Sequence, residues 1–396
     1  MRKIALVYLL PFVIALLTIS WLSSNEKFSS LLWHSRSSVV TPEPAFDYIP
    51  YFKDRVEYED QFLGSGSSRP VIYLLGSSEL STPSEAIPYR FISKYFNTQV
   101  RAIGHAGNQC FSIYSQLLAN KERLHDADVV IIISPGWFEG KNSAGTSSEV
   151  FLEFNSERFL SKIVCDTIDS DLKAYEEQRI SGMYSEFNAP NIPIKLMNFE
   201  YKASKSPVHK VCFLPLFIGE KMLLLRRTIS SQPSDKRINI GSIIPVPFAL
   251  NWDSLFRVAK QHSSNAATTN TMGINDDYYR TYIHGGTGKI APVSVSCNQE
   301  LKDFKMLLHL LKEKDVRASF IISPLNPLYY KNLSELDPVI DVITGEIKEL
   351  KFPYLNLYVS DPAKYEKSSL ADIMHMADYG WYEVDHFIAK NYHLIE

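Results

Sequence analysis

The feature that most constrains the fold of this chain is a series of short apolar runs, from residue 71 onward, that alternate with helix-like stretches. The runs read VIYLL, QVRAI and DVVIIIS, and the stretches between them read AIPYRFISKYF and FSIYSQLLANKERL. Alternation of this kind predicts parallel strands joined by helical crossovers. Helices cover both faces of such a sheet, which explains why VVIII is apolar throughout. We therefore predict an α/β fold with a doubly wound parallel sheet.

The alternation weakens in the middle of the chain and then resumes. The segments SEVFLEFNSERFLSKIV, FIGEKMLLLRRTIS and NWDSLFRVAKQH have helical spacing, and SSNAATTNTMGINDDYYRTYIHGGTGK has the composition of a long exposed loop. After them come a helix in CNQELKDFKMLLHLLKEK, a strand in VRASFIIS, a helix in DPVIDVITGEIKEL and a last strand in YLNLYV. We interpret residues 70–396 as one domain with a mostly helical insertion at about 140–297.

The amino terminus predicts a membrane anchor over residues 1–22. After Arg2 and Lys3, the 19 residues Ile4–Leu22 carry no charge, and as a helix they span about 28 Å, close to the thickness of a bilayer core. With the two cations on the cytoplasmic side, the rest of the chain lies outside the cell. A cleaved signal peptide is the alternative, although the apolar run is long for one. Residues 23–69, rich in Ser and Pro, are predicted to form a tether and a peripheral segment.

Charge and cysteine content exclude some classes of partner. The 396 residues include 41 basic and 44 acidic side chains, with a net charge of -3 and no long run of either sign. This balance argues against a nucleic-acid partner. The four cysteines are far apart and form no metal-ligand cluster, although one disulfide stays open. We predict no metal and no cofactor.

The segment GSSEL, which follows the first predicted strand, is a candidate nucleophile turn. Ser77, Ser78 and Glu79 stand where open α/β sheets place their sites, at the carboxyl end of a parallel strand. The alternative is an ordinary strand-ending turn, since Gly and Ser end many strands. A serine nucleophile needs a base and an orienting acid.

The segment DIMHMADYGW, beyond the last predicted strand, offers that base and acid. Asp372 and His375 are separated by two residues, so one turn can bring the carboxylate to imidazole Nδ1 while Nε2 faces outward. An incidental polar turn is the alternative. His386, beside Asp385, is a second candidate base, although a position on the terminal helix is the simpler interpretation.

These segments resemble the SGNH (GDSL-like) hydrolase superfamily and, within it, the DltD family of membrane-anchored D-alanyl transfer proteins. GSSEL is similar to the DltD form of the first superfamily block, in which Ser78 matches the nucleophile and Ser77 replaces the usual Asp. The tail is similar to the closing block, so that Asp372 and His375 correspond to the acid and the base. The resemblance implies an SGNH-hydrolase-like, flavodoxin-like sheet.

Two further blocks resemble the family less closely. RAIGHAGNQC is similar to the second block, which implies that the N–H groups of Ser78 and Gly107 form the oxyanion hole, with Gly104 as the alternative. The third block would carry Gly-x-Asn, but this chain has Gly136-Trp137-Phe138 and so lacks that amide donor. Three other residues are candidates for substrate binding or for shaping the cleft: His105, Asn326 and Tyr329.

The resemblance implies a membrane-anchored, extracytoplasmic serine acyltransferase. By this resemblance the acyl group is D-alanyl, the donor partner is a membrane-bound O-acyltransferase, and the acceptor is a hydroxyl of an envelope glycopolymer such as teichoic acid. Two alternatives stay open. One is a polysaccharide O-acyl esterase with the same triad, and the other is a non-catalytic assembly factor for the membrane acyltransferase.

Overall fold

The central element of the molecule is a parallel sheet. A computed structural model describes the backbone at 47–49 and residues 70–104, 106–125, 127–165, 170–185, 188–203, 217–220 and 250–395. Within these residues, six strands form one sheet: β1 (Asp47–Ile49), β2 (Val71–Gly76), β3 (Gln99–Gly104), β4 (Asp128–Ile133), β5 (Arg317–Ile322) and β6 (Tyr354–Asn356). Their order is β1-β3-β2-β4-β5-β6, and every neighbouring pair is parallel. The predicted α/β class with a parallel sheet is confirmed.

The strand order determines where a crevice forms. From β2 the chain crosses to β3 on one side and then returns to β4 on the other side of β2. Without the edge strand β1, this is the order of flavodoxin-like doubly wound sheets, in which ligands bind at the carboxyl ends of the strands where the direction of winding reverses. The carboxyl ends of β2 and β4 are therefore the expected place for a site.

Helices cover both faces of the sheet. Those in the first half are α1 (Pro88–Tyr95), α2 (Cys110–Leu118), α3 (Ser148–Phe154), α4 (Glu157–Cys165), α5 (Ser170–Met183) and α6 (Ile192–Ala203). Those in the second half are α7 (Trp252–Ala266), α8 (Gln299–Glu313), α9 (Asp337–Glu349) and α10 (Asp378–Asn391). A side-chain cap fixes where α8 begins. The Asn298 side chain accepts the Leu301 N–H at 3.0 Å, so the helix starts at Gln299.

The core has two parts because successive side chains of each buried strand point to opposite faces. In β4, Val129, Ile131 and Ile133 pack with α2, α8 and α9, whereas Val130 and Ile132 pack with α1 and α10. All five side chains are fully buried. The apolar run VVIII therefore fills both halves of the core.

Two sequence predictions for irregular regions were right only in part. The last strand was predicted over YLNLYV, but β6 ends at Asn356, because the side-chain oxygen of Asn356 accepts the Tyr358 N–H at 3.0 Å and turns the chain. The predicted exposed loop after α7 contains a helical segment at 276–283. Three residues of this loop, Met272, Ile274 and Ile283, are buried together. Apolar residues scattered among polar ones gave no periodic signal for this small cluster.

The amino-terminal predictions concern residues that are mostly not described. The proposed anchor, residues 1–22, lies outside the described residues. Of the proposed tether, 23–69, the three residues of β1 are described, and they pair with β3 at one edge of the sheet. Among the helices of the described ranges, none is both long and apolar enough to cross a membrane.

Candidate active site

Ser78 lies immediately after the first core strand, where the backbone leaves the sheet. β2 ends at Gly76, and Ser78 begins a short 3-10 helix, Ser78–Ser81, whose Leu80 is buried. Within this turn the Ser81 hydroxyl donates to the Ser78 carbonyl oxygen at 2.6 Å. Ser78 itself is half-buried and lines a cleft. Its N–H is at the first residue of a helical turn, where N–H groups have no acceptor within the helix.

The loop before α10 carries the predicted acid and base. Asp372 Oδ1 accepts the N–H groups of Met374 and His375 at 2.8 and 2.7 Å, and Asp372 Oδ2 lies 2.7 Å from His375 Nδ1. An antiparallel bridge between Leu370 and Met376 closes the loop. The short spacing of acid and base therefore folds into one tight turn that fixes the imidazole.

The structure brings this loop to Ser78. The distance from His375 Nε2 to Ser78 Oγ is 3.2 Å, within hydrogen-bonding range. With Asp372 on the opposite ring nitrogen, Nδ1–H donates to the carboxylate and Nε2 is left to accept the serine proton. The serine, imidazole and carboxylate form one hydrogen-bonded chain across residues almost 300 positions apart.

The electrostatics of the site favour a charged imidazole. The hydrogen bond from His375 to Asp372 raises the pKa of His375 above 6.5; burial opposes this shift, and the nearby charges of Asp372 and Glu79 reinforce it. Burial also works against the charge of Asp372, but the hydrogen bonds from His375 hold the pKa of Asp372 below its usual value. A base with a raised pKa holds a transferred proton more firmly.

Glu79 is a structural part of the nucleophile turn. Its Oε1 accepts the Ser77 N–H at 2.7 Å, and its side chain is almost fully buried. Burial raises the pKa of Glu79, while the Ser77 N–H works in the opposite direction. The carboxyl group therefore fixes the backbone between β2 and Ser78.

The predicted oxyanion donor Gly107 lies beside the site, but its N–H already has a partner. Gly107 lines the cleft and has a φ of 87°, which glycine adopts without strain. Its N–H donates to Ser77 Oγ at 3.0 Å. Gly104, the alternative, ends β3 against β2, and a Cβ there would come 2.2 Å from the Gly76 carbonyl oxygen. Gly104 therefore serves the close approach of two backbones.

A cleft of about 220 Å³ opens over Ser78 and His375. It lies at the carboxyl ends of β2, β4 and β5, as the strand order predicts. Its walls are formed by residues of six segments: Ser77, Ser78, Glu79, Gly107, Gln109, Ser134, Gly136, Trp137, Glu139, Asn142, Ser323, Leu325, Tyr330, Met374 and His375. The nucleophile candidate is therefore accessible to a small acyl group.

Comparison with known families identifies the chain. The family model described as DltD protein matches residues 51–393. The chain belongs to the DltD family. Protein DltD of Bacillus subtilis (strain 168) is 23% identical over 354 residues, which cover 84% of this chain and 84% of that relative. Protein DltD of Staphylococcus aureus (strain NCTC 8325 / PS 47) is 21% identical over 349 residues, which cover 84% and 83% of the two chains.

Other candidate residues of this DltD-family chain lie away from Ser78. His386 is on α10 and packs against Trp252, with ring centroids 4.8 Å apart, and its neighbour Asp385 is buried in the core. Asn326 does not line the cleft but supports it: its N–H donates to the Ile373 carbonyl oxygen at 3.0 Å, which holds the acid–base loop.

Two further sequence candidates have different outcomes. Tyr329 is outside the lining of the cleft, and its neighbour Tyr330 lines it instead. His105 lies outside the described residues. In the parts of the chain that the structure describes, no group of His, Cys, Asp and Glu side chains could hold a metal ion.

Sequence reasoning missed several residues of the cleft in this DltD-family chain. Asn108 donates from Nδ2 to the Gly76 carbonyl oxygen at 3.0 Å and so ties the loop after β3 to the end of β2. Gln109 and Asn142 line the cleft, and Gln109 Nε2 donates to the Asn142 carbonyl oxygen at 3.2 Å. Glu139 adds a carboxylate. The only feature of the sequence that could have pointed to Glu139 is its position in the segment that follows β4.

Proposed function

We propose that this chain is a membrane-anchored serine acyltransferase of the SGNH type that works in teichoic acid D-alanylation on the outer side of the cell membrane. One observation carries the proposal: in a DltD-family chain, Ser78 Oγ lies 3.2 Å from His375 Nε2, and Asp372 lies 2.7 Å from the other ring nitrogen. An open cleft over these atoms gives an acyl group access to them.

In the first step Ser78 takes the acyl group. His375 Nε2 accepts the hydroxyl proton while Oγ forms a bond to the carbonyl carbon of an acyl ester or thioester, and Asp372 stabilises the imidazolium. The oxyanion is stabilised by the Ser78 and Gly107 N–H groups, for which the acyl oxygen must take the place of Ser77 Oγ at Gly107. The tetrahedral intermediate then expels the donor's oxygen or sulfur, which leaves with the proton from His375.

In the second step the acyl group passes to a hydroxyl acceptor. The acceptor hydroxyl gives its proton to His375 and attacks the acyl-serine, and the proton returns to Ser78 Oγ when the new ester leaves. We assign the donor side to a membrane-bound O-acyltransferase and the acceptor side to a hydroxyl of an envelope glycopolymer such as teichoic acid. The resemblance to D-alanyl transfer proteins supports D-alanyl as the acyl group.

Labelling with a serine-reactive fluorophosphonate tests the proposal. We expect mass spectrometry to locate the label on Ser78, and Ser78→Ala to abolish both labelling and acyl transfer. Ser264→Ala, at an exposed serine of α7 that does not line the cleft, is the control and should change neither. Rapid release of the acyl group to water would indicate an esterase instead. Full envelope acylation in a Ser78→Ala strain would indicate an assembly factor.

Protease treatment of intact cells tests the proposed location. If residues 1–22 anchor the chain with Arg2 and Lys3 inside, protease added to protoplasts should digest the domain that carries Ser78. Protection of that domain would contradict the proposed topology. A mature protein that begins after residue 22 would show a cleaved signal peptide.

A further inference from the structure

The charges of the cleft select among acyl groups. Two carboxyl groups, Glu79 and Glu139, and one imidazole, His375, line it, and the lining contains no lysine or arginine. Such a cleft repels anionic groups and attracts cationic ones. Glu79 is almost fully buried beneath the Ser77 N–H that it accepts, whereas Glu139 is only half-buried, so Glu139 is the carboxylate available to a ligand.

Glu139 has one satisfied oxygen and no cation partner. Its Oε2 accepts the N–H of Ala291. In the described part of the chain, no lysine, arginine or histidine forms an ion pair with it. Burial raises the pKa of Glu139, with the Ala291 N–H as the opposing influence. A partly desolvated carboxylate of this kind gains free energy when a cation binds it.

The Glu139 carboxylate accepts the Ala291 N–H, and the backbone on both sides of this hydrogen bond is held by further contacts. The next residue, Gly140, donates its N–H to the Pro292 carbonyl oxygen at 3.2 Å. Gly140 has a φ of 48°, and a Cβ there would lie 2.7 Å from the Ala291 Cβ. The facing segment is held in turn by Asn332, whose side chain bonds both the N–H and the carbonyl oxygen of Ile290. A preorganised side chain binds its ligand at a lower entropic cost.

We propose that Glu139 binds the α-ammonium group of the acyl donor, which makes the cleft specific for α-aminoacyl groups over neutral acyl groups such as acetyl. The assignment rests on the proposed function, because it places the acyl carbonyl at Ser78. In an α-aminoacyl group the ammonium is two bonds from that carbonyl carbon, so the assignment requires Ser78 and Glu139 to face one small cleft, and both line it. Trp137 and Tyr330 line the same cleft, and aromatic rings also attract ammonium groups.

Binding to an inactive protein tests this assignment independently of turnover. In the full chain with Ser78→Ala, we compare D-alanine methyl ester with methyl isobutyrate, a neutral ester of the same shape, by titration at neutral pH. The D-alanine ester should bind about tenfold to a hundredfold more tightly, as a charge-assisted hydrogen bond allows. Adding Glu139→Gln should bring the two affinities within about threefold of each other. Adding Glu335→Gln, at an exposed glutamate, should leave the preference intact.

Turnover gives the second readout. With Ser78 present, Glu139→Gln should raise KM about tenfold or more for D-alanyl thioesters and change KM for isobutyryl thioesters less than about twofold. An unchanged preference in the binding titration, or an equal loss for both thioesters, would overturn the assignment to Glu139. Absent labelling of Ser78 would instead overturn the proposed function, while the titration would still decide whether Glu139 binds an ammonium group.

Discussion

Among the buried and half-buried carboxyls with perturbed pKa values, two groups differ in access, because only one of them adjoins a cleft. At the cleft, Glu79 and Asp372 flank His375 beside Ser78. In the helical layer, Glu300 and Asp303 of α8 meet Arg179 of α5, and burial together with the neighbouring Asp303 raises the pKa of Glu300 to about 8. The two groups differ in solvent access and in the nucleophile beside them.

The group in the helical layer has bonds but no access. Arg179 donates to both oxygens of Asp303 at 2.8 and 2.9 Å, and Glu300 accepts the Cys110 N–H at 2.9 Å at the start of α2. Cys110 places a thiol beside Glu300, but the thiol is fully buried and its pKa is raised well above normal, so it stays protonated and inert. A perturbed pKa therefore indicates function only where a nucleophile and solvent access accompany it.

The sharpest test of the comparison combines the serine and histidine variants. Ser78→Ala and His375→Ala should each lower acyl transfer by about 10³-fold or more, and the double variant should lose little beyond either single one, because the residues of a catalytic unit act together. The transfer rate of purified protein measures this. His386→Ala, which removes a histidine packed against Trp252, should stay within about twofold of wild type. Additive losses would show that Ser78 and His375 act separately.

The helical-layer group should respond in stability alone. Arg179→Ala leaves Asp303 buried without its cation, and we expect the free energy of unfolding to fall by about 3–5 kcal/mol. Denaturant unfolding measures this fall, with Arg257→Ala on the exposed surface of α7 as the control. The labelling rate of the folded fraction should be unchanged. Slower labelling of Ser78 in folded Arg179→Ala protein would show that the helical-layer group affects the reactivity of Ser78, contrary to a purely structural role.

A change at the acid should alter the pH profile. The base must be neutral to accept the serine proton, so labelling should rise with pH through a midpoint above 6.5, since the pKa of His375 is raised. Asp372→Asn removes the charge that raises this pKa, so the midpoint should move to lower pH while the plateau rate falls about 10–10²-fold. Labelling rates between pH 5 and 9 measure both effects. A midpoint that does not move would mean that Asp372 is not the orienting acid.

The fold was more predictable from the sequence than the contacts of the site. The apolar runs of β2, β3 and β4 determine the sheet because each must be buried on both faces. The positions of Ser78 and His375 followed from strand ends and from a known pattern. Their distance depends on a loop held by Asn326, a contact across some 50 residues of chain that no local pattern encodes. Glu139 was missed because it follows a short helical turn after β4, where no periodicity in the sequence marks a carboxylate as part of a cleft.

The smallest expected effect concerns Ser77, whose hydroxyl is the present hydrogen-bond partner of the Gly107 N–H. Ser77 Oγ accepts the Gly107 N–H at 3.0 Å, so it competes with the acyl oxygen for that donor if Gly107 helps to form the oxyanion hole. Ser77→Ala removes the competitor at the cost of one hydrogen bond, and we expect transfer to stay within about fivefold of wild type. If the Ser77 hydroxyl were itself the oxyanion donor, the same change would cost about 10²–10³-fold.

The control for the Ser77→Ala experiment is a change at Gly107, the residue whose N–H is the hydrogen-bond donor. Gly107 has a left-handed φ, and a Cβ there would come 3.1 Å from Val150, so Gly107→Ala should displace the N–H and lower transfer further than Ser77→Ala does. Val150→Ala combined with Gly107→Ala separates the two causes: it relieves the crowding but leaves the φ strain. If transfer recovers in part, the recovered part of the loss came from crowding against Val150, and the remaining loss came from the strained φ. The order of the two single variants decides the donor, because a smaller loss in Gly107→Ala than in Ser77→Ala would transfer the role from the glycine N–H to the serine hydroxyl.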